Sequence, residues 1–153
     1  MDSLFDLVFG TYPSWSHLVV RVAAGIIFFA HGAQKVFGWF GGPGLKATMS
    51  AFQQHMQIPP AAAALAAFTE CFGGLALIVG LLARPAALGL TIVMLVAIAK
   101  VHGRNGLFLN MQGTPGKGHG YEFNLALIGM TVSILIGGAG IFSIDRVIRA
   151  FGE

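Results

Sequence analysis

Seven side chains that could carry chemistry interrupt an otherwise apolar sequence: His31, Lys35, Glu70, Lys100, His102, Tyr121 and Glu122. His31 and Lys35 are four residues apart, so a helix would place them on one face, one turn apart. Imidazole and carboxylate groups exchange protons, and an ammonium group stabilises a developing anion. We call these seven residues the predicted polar cluster. They are candidate ligand-binding residues, and none is assigned a catalytic role.

Four apolar segments must position this cluster, at residues 16–37, 60–82, 84–101 and 121–142. Trp15 and Trp39 flank the first segment, roughly 36 Å apart along a helix axis, which suits two interfacial belts of a bilayer. The sequence therefore predicts an all-α fold, a membrane-spanning four-helix bundle that forms a single domain over residues 1–153. Short amphipathic patterns at both ends predict segments that lie in the membrane interface, and Ser143 is a candidate N-cap of the second.

The composition favours lipid as the solvent of this chain. Hydrophobic residues make up 56% of it and charged residues 10%, whereas soluble domains have about 25% charged residues. The net charge of +3 includes no basic run, so nucleic-acid binding is not expected. A single cysteine, Cys71, excludes an internal disulfide and any CxxC redox motif.

The link between the second and third segments is short, which predicts antiparallel neighbours. Two longer connections, rich in glycine and polar residues, follow the first and third segments and should lie on the same side of the membrane. The predicted polar cluster would then converge on that half of the bundle. Because a charge buried in a membrane is costly, its members should pair.

Each residue of the cluster also has a purely structural interpretation. Glu70 could pair with Lys35 or with His31 to lock the bundle, or it could bear a proton beside a bound ligand. His31 could be a packing residue hydrogen-bonded to a neighbouring carbonyl, or it could face a ligand or relay a proton. Lys35, Lys100 and His102 could extend to the headgroups, and Glu122 could interact with a helix dipole. Arg21, toward the opposite face, is interpreted as an interfacial anchor.

No metal site is predicted. A haem held by His31 and His102 would need both imidazoles at one depth, but His31 lies inside its segment and His102 at the edge of another. The spacing matches no structural zinc pattern.

Five segments of the chain form a recognisable set in this order: RVAAGIIFFAHGAQKVFG, ECFGGLALIVGLLAR, VHGRNG, GYEFNLAL and GAGIFSID. By these segments, the chain resembles the DoxX family of small four-helix membrane proteins. The resemblance implies a bacterial inner (plasma) membrane protein of the oxidoreductase type. Relatives are similar to a DoxD-type subunit linked to thiosulfate oxidation with quinone as acceptor, and others are associated with oxidative-stress defence in complexes with soluble partners.

The resulting hypothesis is a subunit of, or an accessory to, a quinone-linked membrane oxidoreductase. Quinone is the candidate cofactor, held without a covalent bond, with His31 and Glu70 as proton carriers and Lys35 stabilising an anion. The sequence has no flavin, haem or iron–sulfur motif, so the electrons would come from a soluble or membrane redox partner.

Two alternatives stay open. One is a non-catalytic anchor or assembly protein for soluble partners, in which the cluster only fixes the bundle. The other is a small transporter, suggested by a faint repeat of AHG at residues 30–32 and VHG at 101–103, which would require a homo-oligomer. Basic residues are balanced between the two sides. For this multi-pass protein, Arg21 and the basic C-terminal segment favour the orientation with both termini in the cytoplasm.

Overall fold

The computed structural model describes residues 4–152, which form helices and connecting loops with no strand among them. The helices are α1 (Leu4–Phe9), α2 (Trp15–Phe37), α3 (Gly44–Met56), α4 (Pro60–Val79), α5 (Ala83–Ala97), α6 (Glu122–Gly137) and α7 (Ile144–Gly152). A π-helical turn, Ile98–His102, and a 3₁₀ turn, Gly103–Asn105, continue α5. The all-α prediction is confirmed. The ends of the predicted domain, 1–3 and 153, lie outside the described residues.

Three of the helices are long and apolar enough to cross a membrane: α2, α4, and α5 together with its continuation to Asn105. The fourth apolar helix, α6, has 16 residues and is about 24 Å long, less than the roughly 30 Å of a hydrocarbon core. The sequence predicted a helix through residue 142, whereas α6 ends at Gly137. The architecture is that of a helical membrane bundle.

Arg21 supplies the hydrogen bonds that allow the non-helical backbone after α6 to be buried. Its guanidinium is fully buried and donates hydrogen bonds, 2.6 to 3.5 Å long, to five main-chain carbonyls: Leu77, Ile78, Ala139, Ile141 and Phe142. Non-helical backbone at membrane depth is tolerated only where protein or water satisfies its polar groups. The interpretation of Arg21 as an interfacial anchor is therefore wrong, because Arg21 joins the end of α4 to the segment after α6.

Asp145, at the start of α7, closes the same end of the bundle. Its carboxylate accepts hydrogen bonds from the main-chain N–H groups of Leu82 (2.7 Å) and Ala83 (2.9 Å), where α5 begins. The predicted N-cap is also present, since the Ser143 hydroxyl accepts the Arg146 N–H at 3.3 Å. These bonds fix α7 to the α4–α5 turn.

Both ends of the described part of the chain are helical, as the amphipathic patterns predicted. Leu4 on α1 and Phe151 on α7 are 76% and 89% exposed, which suits helices that lie in an interface. An ion pair between Asp6 and Arg149, 3.9 Å apart, links the two helices.

Glycines allow α2 and α4 to pack closely. A Cβ at Gly32 would overlap the main chain of Cys71, and a Cβ at Gly74 would overlap the main chain of Phe29. Small residues at such contacts are typical of membrane helix pairs. On the other side of the bundle, α5 and α6 are joined by the buried hydroxyls of Thr91 and Thr131, 2.7 Å apart.

The first long connection contains α3, a helix that the sequence analysis missed. It packs against both α2 and α4. Its buried Thr48 donates a hydrogen bond to the main-chain oxygen of Lys35 at 3.3 Å. Only one face of α3 is covered, so its other face is polar. Together with the neighbouring glycines, these polar residues gave the connection the composition of a loop.

Candidate functional site

A cavity of about 670 Å³ lies between α2, α4, α5 and α6. On the side of the long connections, α3 and the loop after His102 contribute to its wall through residues such as Phe52 and His119. Most of the lining side chains are apolar. Ligand sites in proteins have this size and character, with a few polar groups that orient the ligand.

Five residues of the predicted polar cluster line this cavity: His31, Lys35, Glu70, Lys100 and His102. They come from three helices and meet near the long connections, as the topology predicted. The structure places Tyr121 and Glu122 outside the lining. Glu122 instead accepts the main-chain N–H of Leu109 at 2.8 Å and so anchors the loop to α6.

Lys35 and Glu70 form an ion pair across the α2–α4 contact. The Glu70 side chain is 4% exposed and the Lys35 side chain 26% exposed. Because Gly32 lets the two helix backbones touch at Cys71, the next residue after Glu70, the pair is held between closely packed elements. Of the partners considered for Glu70, the structure shows Lys35.

His31 is exposed within α2, and its ring centroid lies 6.5 Å from that of Phe123 on α6. Its imidazole therefore forms part of the cavity wall, at the place where α2 faces α6. The charged residues of the lining are Lys35, Glu70 and Lys100. Since Glu70 is paired with Lys35, the Lys100 charge is in excess, and the cavity favours an electron-rich ligand atom.

Hydrogen bonds assign opposite roles to His102 and His119. Nδ1 of His102 lies 3.0 Å from the main-chain oxygen of His119, which can only accept, so this nitrogen carries a proton. Nδ1 of His119 accepts the main-chain N–H of Asn110 at 3.2 Å, so this nitrogen carries none. In their neutral forms, Nε2 of His102 is thus an acceptor and Nε2 of His119 a donor.

The loop that carries His119 is held in place by its own polar groups. Asn105 donates to the His119 oxygen at 3.0 Å. Asn110 donates to the oxygens of Thr114 and Lys117 at 3.0 and 2.7 Å. These bonds fix the position of the His119 main chain at the cavity.

Sequence reasoning did not select His119 or Asn124 as site residues. His119 lies in a glycine-rich connection with no periodic pattern, so nothing in its neighbourhood indicated that it faces a cavity. Asn124 gave a usable signal, since an amide in an apolar helix usually has a partner. It is buried, lines the cavity and donates to the Met94 sulfur at 3.4 Å.

A family model described as DoxX matches residues 16–103 of this chain. The match covers α2 to α5 and includes all five cluster residues that line the cavity, whereas His119 and Asn124 lie beyond it. Comparisons with curated proteins and with solved structures give no match.

Proposed function

Because the chain belongs to the DoxX family of integral membrane proteins, we propose that it is a quinone-binding subunit of, or accessory to, a membrane oxidoreductase. One observation carries the proposal. The 670 Å³ cavity is apolar over most of its lining and gathers its polar side chains near the long connections. A quinone has the same division, a ring with two carbonyl oxygens attached to an apolar tail.

The polar side chains of the cavity include the hydrogen-bond donors and the proton acceptor that a quinone ring requires. Carbonyl oxygens require donors, and Nε2 of His119 and the ammonium group of Lys100 are donors in the lining. A bound quinone would take up two electrons, supplied by a redox partner subunit, and two protons. Nε2 of His102, an unprotonated acceptor in the neutral ring, is the position at which this chain would hold or release a proton.

In this proposal, Lys35 and Glu70 hold the cavity wall in place, and His31 supplies a third imidazole beside those of His102 and His119. The protein lies in a bacterial inner membrane with both termini in the cytoplasm. The polar end of the cavity then faces the opposite side, where α3 and the His119 loop are available to a redox partner.

The test is binding of a short-tailed benzoquinone analogue to purified protein in lipid nanodiscs, measured by retained ligand at equilibrium. His102→Gln and His119→Gln should each weaken binding about tenfold, the effect of losing about 1.4 kcal/mol. His55→Gln is the matched control, because His55 is exposed on α3 and does not line the cavity. It should bind like the wild type.

Absence of quinone binding by the folded wild-type protein would contradict the proposal. If variants at Glu70 then lowered only the thermal stability, while a soluble partner still co-purified, the cluster would be structural and the anchor hypothesis would be favoured.

A further inference from the structure

Part of the cavity lining, on α4 and α5, is exposed at the surface of the bundle. Leu65 on α4 lines the cavity and is 67% exposed. Ile92 and Val96 on α5 also line it and are 52% and 42% exposed. Side chains that both line a cavity and remain exposed mark its mouth.

Two other helix pairs around the cavity remain in contact at its level. Gly32 touches the main chain of Cys71 and thereby closes α2 against α4. Asn124 donates to the Met94 sulfur and thereby joins α6 to α5. Across the junction between α2 and α6, the rings of His31 and Phe123 lie 6.5 Å apart. The exposed lining side chains of Leu65, Ile92 and Val96 therefore mark a mouth between α4 and α5.

The packing of α4 against α5 agrees with this position. The two helices touch between their connecting turn and their middle, where a Cβ at Gly73 would lie 3.3 Å from Leu90 and a Cβ at Gly89 would lie 3.0 Å from Thr69. Gly89 and Thr69 already line the cavity, and beyond them, farther from the turn, the lining continues on both helices. We call this region the α4–α5 cleft, and its walls are Ala62, Leu65, Ala66, Ile92, Val93 and Val96.

The walls of the cleft have no polar side chain, and they belong to two of the helices long enough to cross a membrane. Acyl chains rather than water therefore surround the mouth. An ionic or strongly polar molecule would lose its hydration on passing through it, whereas an apolar chain loses nothing. The cleft is also continuous with the polar part of the cavity, since Lys100, in the π-helical turn that continues α5, lies four residues after Val96 and also lines the cavity.

We propose that the α4–α5 cleft is a lateral portal, through which a ligand with a long apolar tail enters from the bilayer and in which the tail stays after binding. This inference rests on the proposed function and narrows the ligand class to quinones with lipid tails. Water-soluble aromatic compounds would lack the part of the ligand that the cleft binds.

The portal is tested by adding bulk at its mouth. Leu65→Trp and Ile92→Trp place an indole on exposed positions of the cleft. Leu75→Trp and Leu88→Trp place the same indole on the same two helices, at positions 42% and 52% exposed that do not line the cavity. In nanodiscs, both the exchange rate and the equilibrium binding of a long-tailed quinone and of its tail-less headgroup are measured.

The cleft variants should slow exchange of the long-tailed quinone about tenfold, while the control variants leave it unchanged. Headgroup binding should stay near the wild-type value in the two control variants, and in the two cleft variants it should change less than binding of the long-tailed quinone. The wild type should bind the long-tailed quinone at least about tenfold more tightly than the headgroup.

Equal exchange in cleft and control variants would overturn the portal, and so would equal affinity of the wild type for both ligands. Both results leave headgroup binding intact. Failure of the wild type to bind either ligand would instead overturn the proposed function, so the two failures are distinguishable.

Discussion

Lys35 on α2 and Glu70 on α4 form an ion pair in the wall of the cavity, and Glu70 is almost completely buried there. Each charge stabilises the other in a place where neither would be stable alone. The pair thus links the packing of two helices to the electrostatics of the site. Its contribution to folding can be separated from its contribution to binding.

Lys35→Met should destabilise the protein by about 3–5 kcal/mol, because Glu70 would stay buried without its partner. The double variant Lys35→Met/Glu70→Gln should recover most of this loss, since no unpaired charge is left. Unfolding titrations in mixed detergent and SDS micelles measure the free energy of unfolding of both variants. A double variant as unstable as the single one would show that the two side chains do not act as a pair.

Gly32→Ala should destabilise the protein by about 1–3 kcal/mol, because the new Cβ would overlap the Cys71 main chain and push α2 away from α4. The matched control is Gly129→Ala on α6, where a Cβ meets no atom within 4 Å. That change should be neutral or stabilise the protein by up to about 1 kcal/mol, since alanine favours helix. Equal effects in the same unfolding titration would contradict the close contact.

Arg21→Lys should be severe although the charge is conserved. A lysine ammonium has three donors, whereas the Arg21 guanidinium serves five carbonyls. Two carbonyls would lose their donor, at a cost of roughly 2–5 kcal/mol in the free energy of unfolding. Arg104→Lys, at an exposed position, should change stability by less than about 0.5 kcal/mol. A tolerated Arg21→Lys would show that water satisfies these carbonyls.

Lys100→Met should weaken binding of the benzoquinone analogue about threefold to tenfold, because the unpaired positive charge of the cavity is removed. Lys117→Met removes the same charge from an exposed loop position that does not line the cavity. Its binding constant should match that of the wild type in the same nanodisc measurement. If Lys100→Met and Lys117→Met lowered the affinity for the analogue equally, the effect would come from the net charge of the protein and not from a charge in the cavity.

Apolar length and loop length predicted most of the scaffold. Runs of twenty or so apolar residues leave little choice but a membrane helix, and the short turn near Leu82 makes α4 and α5 neighbours. The convergence of His31, Glu70 and His102 follows from that topology alone. The topology does not determine which way each side chain points. Tyr121 and Glu122 lie at the predicted end of the bundle, but they do not line the cavity.

The remaining features depend on tertiary contacts that no local pattern contains. Arg21 looked like an anchor because arginine near a span end usually reaches the headgroups. Its actual partners are carbonyls 56 to 121 residues away in the chain. His119 reaches the cavity through loop hydrogen bonds, and α3 is stabilised by the helices that it packs on. For Arg21 and His119, no local periodicity indicates these partners.

The burial of Cys71 against Gly32 has a practical consequence. It is the single thiol of the sequence, and no part of it is accessible in the folded protein. A cysteine introduced at Lys46 or at Lys117 would therefore be the one accessible thiol of this protein when a membrane-impermeant maleimide is added to intact cells. Labelling at these two positions would read out directly which face of the membrane carries the connections beside the cavity.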